Sequence, residues 1–344
     1  MVETEGRRAT IYDVARRAGV ATSSVSRVLN GHPNVSQALR DQVEQAAREL
    51  DYKPDPAAHS LRGTSTGLVG CLISTMANPV LAPICASAEQ VLRTQGYSML
   101  LTNSLNDPDL DATYLRLMAR RRVDGLIVSS AAAGVDQATD VVLRLKIPAV
   151  MLDRDLPRDV PASHVSAVQS DHAGGMRAAV AHLTALGHRR IALLGGPEAF
   201  RPSRERLAGY LDGLRVAAIA PAPDLIRNVA MSQSVGYVET TALLASDKPP
   251  TAIIAGGNII LLGALKALQE RGLVVGRDIA LIGSDDIDVA QLYNPPITVI
   301  ARDLAMLGET AARLLVETMA KGTGRLVTLP THLVVRQSST LRVA

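Results

Sequence analysis

The chain has 344 residues, of which 47% are hydrophobic and 20% are charged, and its formal net charge is +3. This length exceeds one typical domain and allows sizeable buried cores, whereas the charge is too small to indicate nucleic acid by itself. No apolar run approaches the roughly 20 residues that cross a bilayer, and the N-terminus lacks the apolar core of a signal peptide, so we expect a cytoplasmic protein. Cys71 and Cys85 lie in apolar surroundings and are expected to be buried, small hydrophobic residues.

Two short helices joined by a tight turn are predicted between residues 10 and 31. Apolar residues recur at helical spacing on both sides of a break at Gly19, which supplies the backbone conformation of the turn. Thr10 and Asp13 form the Thr-x-x-Asp pattern that opens a helix. This arrangement is typical of a helix-turn-helix, whose second helix enters the DNA major groove, although an ordinary amphipathic hairpin has the same periodicity.

The second helix has a polar face suited to DNA. Small hydroxyl side chains allow close approach to phosphates and base edges, and an arginine pairs bidentately with guanine. The candidate DNA-binding residues here, with the residue that opens the first helix and the one that ends the second, are Thr10, Thr22, Ser23, Ser24, Ser26, Arg27 and Asn30.

A third helix and a linker follow. Residues 36–49 repeat apolar positions at helical spacing, and Ser36 is the expected N-cap of a helix that closes a three-helix unit. Residues 53–66 begin with two prolines and end with small polar residues, a composition typical of a linker.

From Gly67 onward, short apolar runs alternate with amphipathic helical stretches. Continuous apolar strands separated by helices predict parallel sheets covered on both faces, and a series this long predicts two doubly wound lobes that divide near residues 164–171. Ligands bind beyond the carboxyl ends of the strands in such sheets. The predicted strand runs are 68–74, 97–103, 124–130, 147–153, 190–196, 251–257 and 278–286.

An ordered series of motifs extends along nearly the whole chain. In the first 31 residues the motifs are Asp13-Val14-Ala15, Ala18-Gly19-Val20 and Val25-Ser26-Arg27-Val28-Leu29-Asn30-Gly31. Later motifs include Asp124-Gly125, Asp153-Arg154, Gly187-His188-Arg189-Arg190-Ile191-Ala192, Ser203 with Arg206, Gly209 and Tyr210, Gly283 with Asp285-Asp286, Pro295-Pro296-Ile297-Thr298-Val299 and Leu333-Val334-Val335-Arg336. In these motifs the chain resembles the lactose-repressor (LacI/GalR) family of bacterial transcription regulators.

The resemblance implies an α/β architecture with an all-α helix-turn-helix head. A hinge helix joins this head to a two-lobed domain similar to periplasmic sugar-binding proteins. We expect the head at 1–52, the hinge at 53–66 and the effector-binding and dimerisation domain at 67–344. Within that domain, the expected N-lobe is about 67–165 plus 297–327, and the expected C-lobe is about 166–296 plus 328–344.

The resemblance also assigns roles in the hinge. Leu61 falls where the family inserts a leucine into the minor groove, and Ala58 falls on the face that pairs with the second hinge helix of a dimer. Ordinary packing of a linker is the alternative for Leu61. Asp55 and His59 depart from the family pattern, and we expect weaker phosphate contacts at these two positions.

For the effector, the family pattern maps to Arg206 and Asp285, which would orient a polyol across the cleft. A surface salt bridge for Arg206 and a turn cap for Asp285 are the structural alternatives. Gly257 stands at a position that usually contacts ligand, so a hydrogen bond is expected to be lost or moved to Asn258. Further candidates at strand ends are Ser74, Asn78, Ser129, Arg154, Asp171 and Asn258, and capping of the next helix is an equal alternative for Asp171.

The charge of the effector is left open by the sequence. Arg201, Arg204 and Arg206 lie close together and suit an anionic effector such as a sugar acid or sugar phosphate. A solvated, arginine-rich surface explains the same cluster and is slightly favoured.

These observations predict a sequence-specific DNA-binding regulator, a repressor of catabolic or transport genes, controlled by a small sugar-like effector. A ligand-binding protein without DNA function is the alternative, but it leaves the first 62 residues unexplained. No catalytic, cofactor or metal motif was found, so we expect neither an enzyme nor a bound cofactor. The expected partners are a pseudopalindromic operator in double-stranded DNA, the effector and a second copy in a homodimer, since only eight residues follow Arg336. Whether effector releases or strengthens DNA binding is not encoded.

Overall fold

The computed structural model describes residues 9–29, 32, 34–52, 65–130, 137–156 and 164–340. Four candidate DNA-binding residues, Asn30, Ala58, His59 and Leu61, lie outside the described residues. The chain divides into two units, residues 1–66 and residues 67–344, and each is described separately below.

The first unit contains three helices: α1 (Ile11–Arg17), α2 (Thr22–Leu29) and α3 (Gln37–Glu49). The predicted capping box of α1 is confirmed, because the Asp13 amide donates to Thr10 Oγ1 and the Thr10 amide donates to Asp13 Oδ2. Ser36 caps α3 as predicted, by accepting a hydrogen bond from the Leu39 amide. Apolar residues from all three helices form the core, namely Val14, Ala15, Ala18, Val25, Val28, Val43, Ala46 and Ala47.

The turn between α1 and α2 depends on Gly19. Its φ angle of +63° lies in the left-handed region, where a side chain is disfavoured. The chain therefore reverses within a few residues after Arg17, and Val20 and Ala21 lead directly into α2. The sequence prediction for this turn is confirmed.

The second unit contains two six-stranded sheets. The first sheet has the order β11-β5-β4-β3-β1-β2, and the second has the order β12-β10-β9-β8-β6-β7. The described strand pairs are parallel, except that β12 runs antiparallel to β10. The strands are β1 (Leu68–Ile73), β2 (Ser98–Asn103), β3 (Gly125–Ser129), β4 (Ala149–Leu152), β5 (Val165–Ser170), β6 (Ile191–Gly195), β7 (Ile226–Asn228), β8 (Ala252–Ala255), β9 (Ala280–Ser284), β10 (Thr298–Arg302), β11 (Leu326–Leu329) and β12 (Thr331–Val334).

Helices cover these sheets and bury apolar side chains against them. They are α4 (Leu81–Thr94), α5 (Pro108–Arg120), α6 (Gln137–Leu145), α7 (His172–Ala185), α8 (Arg201–Val216), α9 (Gln233–Leu244), α10 (Asn258–Glu270), α11 (Asp288–Leu292) and α12 (Leu304–Lys321). No helix within the described ranges is both long and apolar enough to cross a membrane. The thiols of Cys71 and Cys85 are free, and their sulfur atoms lie 4.0 Å apart.

The expected lobe boundaries need correction at two places. The strand at 165–170 lies in the first sheet, where it pairs with β4 and β11, rather than in the C-lobe. Residues 298–302 belong to the second sheet, where β10 pairs with β9 and β12, rather than to the N-lobe. Among the described strands, the chain passes between the sheets after β5, after β10 and after β11. The lobe boundaries fall between strands rather than within them, because the backbone hydrogen bonds of each strand are satisfied by its neighbours in the same sheet.

Candidate effector and DNA-binding sites

A cavity of about 380 Å³ lies between the two sheets of the second unit. Its polar lining follows the carboxyl ends of strands from both sheets, which is where doubly wound sheets bind ligands. Eight of the nine candidate effector residues line it: Ser74, Asn78, Ser129, Arg154, Arg206, Gly257, Asn258 and Asp285.

Asp171 does not line the cavity. It precedes α7 as the N-cap, and its Oδ1 atom accepts a hydrogen bond from the Gly174 amide at 2.7 Å. The capping role that the sequence allowed for Asp171 is therefore observed, and its carboxylate is turned to the helix rather than to a ligand.

Two aspartates and one arginine form an ion-pair bridge across the cavity. Arg302, the last residue of β10, donates from Nε to Asp285 Oδ1 at 2.6 Å and from Nη1 to Asp153 Oδ2 at 2.7 Å. Asp153 follows β4 of the first sheet, so the Arg302–Asp153 contact connects the two sheets. Both aspartates have left-handed backbones, with φ angles of +49° for Asp153 and +64° for Asp285. Such conformations cost energy and concentrate at functional sites.

The bridge keeps both carboxylates ionised. Burial raises the pKa of Asp153, but His172, Arg302 and the Ser170 amide outweigh it and hold that pKa well below its usual range. Burial also opposes ionisation of Asp285, yet Arg302 and Arg206 lower its pKa. Burial would lower the pKa of Arg302, but the two aspartates raise it above its usual value. The three groups therefore remain charged at neutral pH.

His172 is a neutral side chain beside this bridge. It is 2% exposed, and its Nε2 atom lies 3.4 Å from Asp153 Oδ1. Burial, followed by the positive charge of Arg206, lowers the pKa of His172 to about 4, although Asp153 opposes the change. The imidazole is therefore uncharged at neutral pH.

Arg206 projects from α8 into the same cavity and is 8% exposed. Its Nη1 atom donates to the Gly256 carbonyl oxygen at 2.8 Å. Burial lowers the pKa of Arg206 to about 10, because the attraction of Asp285 does not fully compensate for lost hydration. The surface salt bridge considered as an alternative for Arg206 is not observed among the described residues.

Arg154, which follows β4 of the first sheet, is held by a series of hydrogen bonds. Its Nη2 atom donates to Ser130 Oγ at 3.0 Å, and Ser130 Oγ in turn donates to the buried carboxylate of Asp111. The Arg154 carbonyl oxygen accepts a hydrogen bond from Gln169. These contacts fix the backbone and guanidinium of Arg154 at the cavity wall.

Residues that follow strands of the two sheets also meet through an amide pair. Asn258 Nδ2 donates to Asn78 Oδ1 at 3.0 Å. Gly257, the N-cap residue of α10, makes no side-chain cap, and a Cβ atom placed there would overlap the methyl group of Met231. Met231 therefore fills the space that a side chain at position 257 would need.

Several cavity residues were missing from the sequence-based list. Asp153, His172 and Arg302 supply charge and hydrogen-bonding groups, while apolar walls come from residues on α4 and on the loops before α8 and α9. Strand-end placement was a usable signal for Asp153, which ends a predicted apolar run. Arg302 had no such signal because β10 was not predicted. The apolar residues include Leu81, Ile84, Phe200 and Met231.

The predicted Arg201, Arg204 and Arg206 cluster does not act as a unit. Arg201 lies within 4 Å of Asp153, Asp155 and Glu205, and Arg204 pairs with Asp155. Neither of these two side chains lines the cavity. Only Arg206 of the three reaches it. The solvated surface that the sequence slightly favoured describes Arg204, which is partly exposed, but not Arg201, which is buried.

In the first unit, α2 separates an apolar face from a polar one. Val25 and Val28 are buried, whereas Ser23 and Arg27 are exposed. The remaining candidates on α2, Thr22, Ser24 and Ser26, are partly exposed. The polar face therefore remains available at the surface of this unit. Thr10 Oγ1 donates to Asp13 Oδ2 at 2.6 Å, so its hydroxyl already serves the cap of α1.

Comparison with known proteins agrees with this architecture. A model of the lacI family of bacterial regulatory proteins matches residues 10–55, and a periplasmic binding protein-like domain matches residues 180–339. The HTH-type transcriptional repressor PurR of Haemophilus influenzae is 32% identical over 309 residues, which cover 90% of each chain.

Solved structures extend the comparison to the full fold. The lac repressor dimer bound to operator and the anti-inducer ONPF superposes with a TM-score of 0.83 and 32% identity, covering 97% of this chain and 99% of that chain. The transcriptional regulator CelR in complex with cellobiose gives a TM-score of 0.73 and 30% identity, covering 96% and 100% of the two chains.

The fold and these similarities define a transcriptional repressor with a helix-turn-helix DNA-binding domain and an effector-binding domain. The chain belongs to the lacI family of bacterial regulatory proteins.

Proposed function

We propose that the protein represses catabolic or transport genes and that the cavity between its two sheets binds a small sugar-like effector, which controls operator affinity. The observation that carries this proposal is the convergence of eight candidate residues on one cavity. CelR, a structural neighbour, is described in complex with cellobiose, which supports a sugar-like ligand. Arg206, Asn258 and Ser129 would contact its polar groups, and the apolar wall would contact its ring.

On the DNA, the α2 residues Ser23, Ser24, Ser26 and Arg27 would read a half-site, with Thr22 near the phosphates. Asn30, Ala58, His59 and Leu61, which lie outside the described residues, keep the DNA-binding roles expected from the sequence. The lac repressor neighbour is described as a dimer bound to operator, which supports a homodimer on a pseudopalindrome. Since such a regulator acts on chromosomal DNA, we place it in the cytoplasm.

Capture of sheared genomic DNA from the source bacterium tests the DNA-binding part. The purified full chain is expected to enrich fragments that share a two-fold symmetric sequence with half-sites about one helical turn apart. Arg27→Ala should relax the sequence preference at one position of each half-site. Ser36→Ala, which removes the N-cap of a different helix, is the matched control and should retain the preference. Recovery of fragments with no shared sequence would refute the proposal.

A further inference from the structure

Arg206 is a buried cation that the protein leaves incompletely paired. Among the described residues, no carboxylate oxygen lies within the 4.0 Å of an ion pair from Arg206, and its hydrogen bond goes to the Gly256 carbonyl oxygen. A guanidinium has five N–H donors, and a buried charge without a counter-charge is costly. Burial lowers the pKa of Arg206 to about 10, which reflects this cost. Because Arg206 lines the cavity, its remaining donors are available to a ligand.

Arg302, rather than Arg206, holds the two aspartates of the cavity. Asp285 would be the natural counter-charge, but its Oδ1 atom accepts the Arg302 Nε hydrogen bond at 2.6 Å. Asp153 is held even more completely, because it accepts from Arg302 at 2.7 Å and from the Ser170 amide at 2.7 Å. Both carboxylates are therefore engaged by protein donors, which reduces their capacity to accept hydrogen bonds from ligand hydroxyls.

Arg206 differs from the other two arginines of the cavity in how it is paired. Arg154, Arg206 and Arg302 carry three positive charges, and Asp153 and Asp285 carry two negative charges. The lining histidine is neutral near pH 7 and adds no charge. Arg302 is bridged by both aspartates and Arg154 is joined to Asp111 through a serine hydroxyl, whereas no carboxylate of the described residues forms an ion pair with Arg206.

We propose that the effector carries an anionic group, a carboxylate or a phosphate, that binds Arg206, and that Arg302 sets this preference by occupying Asp153 and Asp285. Planar paired donors of a guanidinium match either group. This inference rests on the proposed function and narrows its sugar-like ligand to a sugar acid or a sugar phosphate.

The first test uses inorganic phosphate alone as the probe, titrated calorimetrically into the full chain at constant ionic strength. Wild-type protein should bind phosphate about tenfold more tightly than Arg206→Gln, a difference that charge-assisted hydrogen bonds can supply. Arg206→Lys, which keeps the charge but not the planar fork, should fall between them and covers the case in which the glutamine variant does not fold. Equal phosphate binding by wild type and both variants would overturn the inference.

The second test compares matched ligands that differ in the anionic group. D-gluconate is paired with D-glucitol, and D-ribose 5-phosphate with D-ribose, so that the two arms distinguish a carboxylate from a phosphate. The anionic member of one pair should bind about tenfold more tightly than its neutral partner. Arg302→Gln frees the two carboxylates and should shift that ratio toward the neutral member, whereas a purely structural role would weaken both members alike.

The outcomes separate this inference from the function on which it rests. Tight binding of a neutral sugar, with no preference for its anionic partner, overturns the anionic effector while retaining the sugar-like one. Absence of binding by phosphate and by all four ligands overturns the anionic effector and counts against an effector cavity as well.

Discussion

At the residue scale, α2 begins without a side-chain cap. The Ala21 carbonyl oxygen accepts hydrogen bonds from the amides of Ser24 and Val25, so Ala21 is the N-cap residue and Thr22 is the first helical residue. A methyl group cannot accept a hydrogen bond from these first amides. Thr22, one position later, is therefore not the N-cap residue.

Ala21→Ser is expected to stabilise α2 by about 1 kcal/mol and to tighten DNA binding without altering sequence preference, because it supplies the missing cap on an exposed position. Hydrogen exchange of the α2 amides measures the stability, and titration with captured DNA measures the affinity. Ser36→Ala should destabilise α3 by a similar amount. An effect at Ser36 without one at Ala21 would contradict the capping explanation.

His172 gives a pH-dependent contribution to stability. Its pKa falls from an unfolded value of about 6.5 to about 4 in the folded protein, so the unfolded state binds the extra proton first. This contribution is fully present above pH 6.5 and is lost progressively as the pH falls toward 4. Between pH 7 and pH 5 the loss is on the order of 2 kcal/mol.

Urea unfolding of wild type and His172→Gln at these two pH values tests this prediction. The variant should lose less stability on acidification, because glutamine does not titrate. Parallel losses in the two proteins would show that His172 is not held neutral.

At the element scale, the strands differ in how well sequence predicts them. β1, β3, β4, β6, β8 and β9 are continuous apolar runs buried in sheets, and each was predicted from that pattern. β7 has only three residues, and β11 and β12 are partly exposed at sheet edges, so their patterns are weak. The missed β10 ends in Arg302, and its bridge to Asp153 joins residues 149 positions apart. Such a contact depends on strand register and sheet placement, which local patterns do not contain.

The start of α10 provides a prediction at this scale. Gly257→Asn introduces a better N-cap, but the terminal methyl group of Met231 must move aside, so the single variant is expected to gain less than the roughly 0.5 kcal/mol of an unobstructed cap. Met231→Ala removes the overlap. The unfolding free energy of the double variant should exceed the value expected from the sum of the two single effects by at least about 0.5 kcal/mol, as measured by a double-mutant cycle in urea unfolding. Additive effects would mean that Met231 does not occupy the space beside position 257.

At the scale of the whole molecule, the cavity is built from both sheets, and the chain crosses between those sheets several times. Arg302 and the Asn258–Asn78 pair connect the two sides of the cavity. A ligand that binds one relative arrangement of the sheets more tightly would shift the population toward it. Such a shift gives a physical route from the cavity to DNA affinity, and the coupling can have either sign.

Control of DNA affinity by the cavity is the central claim, and a ligand-dependent DNA titration tests it most directly. The affinity of the full chain for its captured DNA site is measured by fluorescence anisotropy with and without D-gluconate, D-glucitol, D-ribose 5-phosphate and D-ribose, at constant ionic strength. At least one compound is expected to change DNA affinity by about fivefold or more, and most of this change should be lost in Arg206→Gln. Unchanged DNA affinity with every compound that binds the cavity, or an equal response in Arg206→Gln, would contradict the account.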